Sequence, residues 1–463
     1  MRFTGIAPVR AYIALGHVLF AALGVLAWMH WRERTLQLDS ACQIFKWIQD
    51  DGLQIEAHRY TAVLPQLLVK LFAGAGASLK TLLLTASLAH VLLPWMIYSV
   101  IVHVLRRPWI GIAMAVAAVL CTRLAFYGVV LEVNYLLSYP FLFAAFLAAH
   151  AEDPDRRWPK VFALGSLILV LLVHPVGSIV ALFIVTLYFI GATERGWLVV
   201  LAVIIIGWAL FGRMILPPTG YEQGLYGAVW EGLGSLRRGA DQPALDFLLG
   251  HTWAYTTHYM ALWALLAVLT VVLVRKRSWA MLALVWVGMI GFILLNITAY
   301  HKGESAMMME KNFLPLAVMV ALPLVMEVGK WNTRSQFLSW IPFALVLFLQ
   351  FRGMSFASRE VHERLFLLEE LVSKARSDGA GKALVETHEL DTWGLHIHWA
   401  LGYETILISA VDHPENATVI YATDKQLLGA PIVSHSFPIT DLDPQWFRVP
   451  IGNEHVLSLH SLP

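Results

Sequence analysis

Asp39 is the first residue whose placement suggests chemistry. It stands in the run Leu36-Gln37-Leu38-Asp39-Ser40, a few residues after a long apolar stretch. A carboxylate there can take a proton from a hydroxyl, or it can simply sit over the free amides of a helix start. Downstream comes the polar triplet His58-Arg59-Tyr60, and further on Glu132, followed by Val133-Asn134-Tyr135. His174-Pro175 interrupts an apolar region, and Arg123 lies inside another. The run Ala299–Pro315 carries His301, Lys302, Glu304, Glu310 and Lys311. Carboxylates can act as bases, and cations can hold a phosphate. Each residue also has an ordinary reading: Asp39 as a cap, Glu132 as an interface carboxylate, His174 as a cap on a proline kink, Arg123 and Lys311 as snorkelling cations.

The elements that must position these side chains follow from composition. Of 463 residues, 58% are hydrophobic and only 14% charged, and the mean hydropathy is +0.65. A soluble chain of this length carries more charge. The net charge of +1 gives no footprint for a nucleic acid. Cys42 and Cys121 are too few for a disulfide framework, and the 18 tryptophans suit two membrane interfaces. The expected class is an all-α polytopic membrane protein. Apolar runs predict about eleven spans: Ala11–Trp31, Leu79–Leu105, Trp109–Tyr127, Asn134–Ala149, Val161–Val173, Gly177–Ile190, Trp197–Ile215, Trp253–Val274, Trp279–Ile297, Phe313–Val328 and Leu338–Leu349. The first follows a basic start but lacks a small-residue cleavage site, so it reads as an uncleaved span rather than a signal peptide.

Basic residues set the orientation. Arg2 and Arg10 place the N-terminus in the cytoplasm, and Arg106-Arg107, Arg156-Arg157 and Lys160 then fall on that side. Arg195, Arg275-Lys276-Arg277, Lys330 and Arg334 follow only if His174-Pro175 separates two helices, which favours that division over a single kinked span. The loops carrying Asp39, Glu132, His174 and Lys311 then face outward, as does the tail. In the first outer loop (32–78), Ala41, Ile44, Phe45 and Ile48 recur at helical spacing from Asp39, and a second surface helix runs to about Phe72. The tail from 354 to 463 is a separate small α/β unit: an amphipathic helix over Glu360–Ala380, then strands at Ala383–Glu386, Thr405–Ser409 and Thr418–Ala422. The membrane module is 1–353. No zinc-type spacing occurs; His396 and His398 alternate as on one strand face.

The pattern of an acidic residue after the first span, heading one juxtamembrane helix with a second behind it, resembles the GT-C superfamily of membrane glycosyltransferases, including aminoarabinose transferases and protein O-mannosyltransferases. Asp39 falls on the acidic position and His58-Arg59-Tyr60 near the basic and aromatic residues that follow. Lys311-Asn312-Phe313-Leu314-Pro315 is similar to the cation-aromatic-Leu-Pro pattern at the head of a late span, with Asn312 inserted. The family's paired acids are reduced here to Asp39 alone. The resemblance implies an inverting transfer of a sugar from a polyprenyl-phosphate donor to a glycan, lipid or protein acceptor at the outer face. It implies Asp39 as general base, and Glu132 orienting the acceptor or holding Mg or Mn with Asp39. His58, Arg59, Tyr60, Arg123, His174, His301, Lys302 and Lys311 would bind the donor phosphate or substrate. The compartment implied is a bacterial inner membrane with the tail in the periplasm. Two other readings stand: a transporter or lipid flippase, which needs polar groups at mid-membrane, and a non-catalytic membrane assembly factor.

Overall fold

The computed structural model describes residues 6–192, 195–255, 258–423, 442–450, 455–457 and 459; Arg2, used above for orientation, lies outside them. The chain is mainly helical, with one small parallel sheet. α1 (Ile6–Met29) carries no acidic or basic residue in its terminal turns and gives way at His30 to the short α2 (Trp31–Thr35) and the amphipathic α3 (Leu38–Gln49). α4 (Leu64–Gly74) packs back on α5 (Leu79–Ser99), which runs on to Val104 as one π turn. Ala41, Ile44, Phe45 and Ile48 of α3 are buried, as their spacing predicts. Among the described residues six helices are long and apolar enough to cross a membrane, or seven if the segment 243–275 is counted as one broken span. Four of them have apolar outer faces, where Val18, Met96, Val287 and Phe348 are exposed. A helix with apolar residues on its outer face as well as its inner one suits a lipid environment.

The expected third span does not form as a helix throughout. α6 (Pro108–Ala117) stops, and 118–131 continues as buried turns, with Cys121 at φ 65°. The reason is local satisfaction of the backbone. The Glu310 carboxylate accepts the N–H groups of Arg123, Leu124 and Ala125, at 2.5, 2.9 and 2.8 Å, so this segment needs no helical ladder. Glu132–Leu137 forms a 3-10 turn ahead of α7 (Tyr139–Glu152). α8 (Arg157–Leu171) and α9 (Gly177–Gly191) are two helices separated by the His174-Pro175 turn. Gly177 is required there, because a Cβ would sit 2.1 Å from the Val170 carbonyl oxygen.

α10 (Gly196–Ile215) leads to α11 (Gly220–Arg237), which begins with a Thr219–Glu222 capping box. The run expected as Trp253–Val274 is divided between α12 (Pro243–Ala254) and α13 (Tyr259–Arg275). α14 (Trp279–Ala299) lies against α11, and Gly232 permits the close approach: a Cβ would fall 2.0 Å from the Thr298 carbonyl oxygen. α15 (Ala306–Phe313) meets α16 (Pro315–Val328) at the proline, and α16 is buried along almost its whole length.

α17 (Thr333–Ser377) is one helix of 45 residues. It joins the expected last span to the expected amphipathic helix and passes unbroken through 353–354. Beyond it, β1 (Lys382–Glu386) is the centre of a parallel sheet ordered β2-β1-β3, with α18 (Thr387–Thr392) following it, β2 at Val419–Thr423 and β3 at His455–Leu457. Lys382 aligns with Val419 and Ala383 with His455. The expected strand Thr405–Ser409 is a helix, α19 (Leu401–Ala410). Every residue of α19 is buried, so the run is apolar without the alternation that marks a strand, and such short runs are ambiguous by period. The crossover between parallel strands decides it, since parallel neighbours need a helical connection.

Candidate functional site

Two tethers fix Asp39, which lies in the first turn of α3. Gln37, not Asp39, is the N-cap, and its side chain makes no capping bond. Leu38 stands at φ 47°, a conformation unfavourable for a residue with a Cβ. Its N–H donates to Glu404 Oε1 on α19 at 2.9 Å. Glu404 is fully buried and held by both ends of the Arg364 fork, Nε to Oε1 at 2.9 Å and Nη2 to Oε2 at 2.7 Å. The α17–α19 unit therefore sets the entry angle of the Asp39 helix. On the other side, Ser40 Oγ accepts the Val129 N–H at 3.1 Å, which ties α3 to the non-helical segment ending at Glu132.

Arg59 reaches that carboxylate directly. Its Nη1 is 2.6 Å from Glu132 Oε1, with the side chains 11% and 6% exposed. The Arg59 segment is held by Tyr139, whose hydroxyl donates to the Thr61 carbonyl at 3.1 Å, and by Thr61 Oγ1 donating to the Leu169 carbonyl at 3.0 Å. Ala57 and His58 both have positive φ, 46° and 59°, so the turn before Arg59 is backbone-strained. Lys311, 5% exposed on α15, lies within electrostatic reach of Glu132, Arg59 and Asp39. Four charges, two of each sign, thus converge from four separate segments. Among the described residues, neither the Asp39 carboxylate nor the Lys311 ammonium makes an ion pair or a side-chain hydrogen bond. Burial pushes the Asp39 carboxyl above the usual carboxylate range; Lys311 and Arg59 pull it down and Glu132 adds to the rise.

His174 joins from the α8–α9 turn. Burial, with Arg59 and Lys311 adding to it, holds its imidazole well below the usual range, so it is neutral near pH 7. Its Nδ1 accepts the Val176 N–H at 3.3 Å, which leaves the ring proton on Nε2 as a donor.

Arg59 and His174 line a cavity of about 530 Å³ between the α8–α9 turn and helices α10, α11 and α14, together with the polar side chains of Ser178, Glu222 and Asn296. The rest of its wall is largely apolar and aromatic, including Trp208, Tyr226, Trp230 and Tyr300. Asn312, one residue after Lys311, also lines it, and the Asn312 Nδ2 is buried without a partner. Its position in the sequence, as the insertion in the cation-aromatic-Leu-Pro pattern, was the only hint of it. A largely apolar cavity with an arginine and neutral donors in its lining can take a molecule with an anionic head and a long apolar body.

The other expected residues sit differently. His58 lines the cavity, but its Nε2 faces the Pro217 carbonyl at 2.9 Å, and its ring stacks on Tyr60 at 6.3 Å. Tyr60 is partly exposed. Arg123 does not meet Glu132: its guanidinium pairs with Glu360 on α17 and lies 3.8 Å over the Tyr255 ring. The physical reason is the turn after α6, which carries Arg123 away from Glu132 and towards α17. His301 and Lys302 are 3.6 and 2.9 Å from Glu231 on α11, at a shallow pocket apart from the cluster. Among the described residues no group of three or more His, Cys, Asp and Glu side chains converges as a metal site, and Glu132 is already engaged by Arg59. His398 Nε2 lies 3.0 Å from Asp391. Sequence reading missed Glu404, Arg364 and Ser40, whose roles depend on contacts between distant segments. The chain matches no family model, no curated protein and no solved structure.

Proposed function

We propose that this chain is a membrane glycosyltransferase of the GT-C kind, moving a sugar from a polyprenyl-phosphate donor to an acceptor at the outer membrane face. The observation that supports it is the charge cluster of Asp39, Glu132, Arg59 and Lys311, joined through Arg59 to a largely apolar cavity that Arg59, His174 and Asn312 line. In this reading the prenyl chain lies along the aromatic wall of the cavity. The donor phosphate meets Arg59, Lys311 and the Nε2–H of His174. The acceptor oxygen attacks the anomeric carbon while Asp39 takes its proton. The bond from that carbon to the phosphate oxygen breaks, polyprenyl phosphate leaves with the electron pair, and the anomeric centre inverts. A carboxyl raised above its usual range is a stronger base once ionised, and cations aimed at the departing phosphate stabilise the charge that develops there.

The reading includes about eleven spans, with the broken span over 243–275, the shorter apolar helices Pro108–Ala117, Gly177–Gly191 and Gly196–Gly212 and α8 completing the count within the bundle. It also includes a cytoplasmic N-terminus, a bacterial inner membrane and an outward-facing α17–α19 unit. The test is transfer from a panel of polyprenyl-phosphate sugars by purified protein, wild type against Asp39→Asn. Turnover with inversion that collapses by about 10²–10⁴-fold in the variant, with donor binding retained, supports the reading. Equal turnover removes Asp39 from the mechanism. Donor binding and lipid movement across the bilayer without sugar release would replace the transferase by a flippase using the same cavity.

A further inference from the structure

Arg34 stands on the short α2, two residues after Arg32. In the fold it is 2% exposed. Its Nε and Nη1 are buried and have no hydrogen-bond partner among the described residues. The acids around it are committed elsewhere: Glu33 lies 3.5 Å from His30 and 3.3 Å from His362, and Glu369 takes Arg32 at 2.7 Å. What faces the guanidinium is aromatic. The Phe126 ring lies 3.9 Å away, and Tyr127 and Tyr135 are within electrostatic reach. Burial pushes Arg34 down to about 9, which still leaves it a cation at neutral pH.

The same neighbourhood is short of acceptors. Tyr127 donates to the Met354 carbonyl at 2.9 Å. The Tyr135 hydroxyl meets His90 Nδ1 at 2.5 Å, and with Tyr135 donating, the His90 proton sits on Nε2. Trp47 stacks on the His90 ring, centroids 6.2 Å apart and planes 9° from parallel, and its Nε1 is buried without a partner. Among the described residues three donor nitrogens, two on Arg34 and one on Trp47, thus lack an acceptor around one histidine. Stacking on Phe126 offsets part of the cost of a buried cation. It leaves those N–H groups unmet, and buried donors without acceptors are costly.

We infer that Arg34, Trp47 and His90 frame a binding site for a phosphate-type anion, separate from the Asp39–Arg59–Glu132–Lys311 cluster. The guanidinium fork matches phosphate oxygens, and the indole and imidazole N–H groups add neutral donors. Two sources share this chemistry: a phosphate carried by a soluble or acceptor molecule, and the headgroup of an anionic phospholipid. The site goes beyond the transferase reading and does not depend on it, since no turnover enters its test.

The test is thermal unfolding of purified wild type, Arg34→Met and Trp47→Phe in neutral detergent, with inorganic phosphate titrated against sodium chloride at matched ionic strength. Phosphate should raise the wild-type midpoint by about 2 °C at saturation and leave Arg34→Met unmoved. Arg34→Met should melt at or above wild type without the anion, because it removes an unpaired buried charge. Trp47→Phe keeps the stacking and should weaken the phosphate response several-fold with an unchanged starting midpoint; this variant decides the matter if Arg34→Met does not fold. Reconstitution into phosphatidylglycerol and phosphatidylcholine nanodiscs separates the sources. An Arg34-dependent stabilisation by phosphatidylglycerol that leaves no further phosphate effect assigns the site to a lipid headgroup, and an equal phosphate shift in both lipids assigns it to a soluble group. A melting point for Arg34→Met well below wild type, with phosphate moving all three proteins alike, would overturn the proposal and leave Arg34 as a cation held by Phe126 alone.

Discussion

Removing one charge from the Arg59–Glu132 pair should cost far more than removing both. The two side chains are almost wholly buried and 2.6 Å apart. At an effective permittivity of 20, their gross attraction is about 6 kcal/mol, and desolvation of several kcal/mol per ion offsets most of it. The pair as a whole is therefore close to neutral in stability, while either half alone is a buried uncompensated charge. Glu132→Gln leaves the cluster with Arg59 and Lys311 against Asp39 alone, an excess positive charge, and should cost about 3–5 kcal/mol. Arg59→Met leaves the opposite excess and a similar cost. The double variant restores the balance and should cost at least about 2 kcal/mol less than the sum of the singles. The assay is reversible unfolding by a denaturing detergent in mixed micelles, read by tryptophan fluorescence, for all four proteins. Single-variant effects that add to within about 0.5 kcal/mol would refute the reasoning and show that water reaches the pair.

Asp39 should trade stability for function in a pH-dependent way. Its carboxyl is raised in the folded protein by burial, so the folded state binds the proton more tightly than the unfolded one. Its contribution is fully present below the unfolded value of about 3.9 and is lost as pH rises through the higher folded value. Asp39→Asn should therefore melt above wild type at pH 7 and equal it in acid, as calorimetry across pH would read; a gap that widens on acidification reverses the sign. The α11–α14 contact that forms one cavity wall supplies a packing test. Gly232→Ala drives a Cβ against the Thr298 carbonyl and should cost about 1–3 kcal/mol. Gly227→Ala on the same helix meets nothing within 4 Å and should be neutral or gain up to about 1 kcal/mol; similar melting points for the two would show that the wall is loosely packed.

Apolar length and amphipathic period are local properties, so the sequence alone determined the membrane class, the α3 and α4 helices of the first loop, the division of α8 from α9 at His174-Pro175, and two of the tail strands. It also singled out Asp39, Arg59, Glu132, His174 and Lys311, because charges in or beside apolar runs are conspicuous. What it could not determine were the places where distant segments override local preference. The helix after Trp109 ends because Glu310, far along the chain, takes its amides. The run at Thr405 is helical because it must cross between parallel strands. Arg123 turns to Glu360, and Arg34 becomes buried without a counter-charge, because the turns after α6 and α1 aim them. A buried polar group must find its partner in space rather than in sequence, so its pairing was decided only by the tertiary structure.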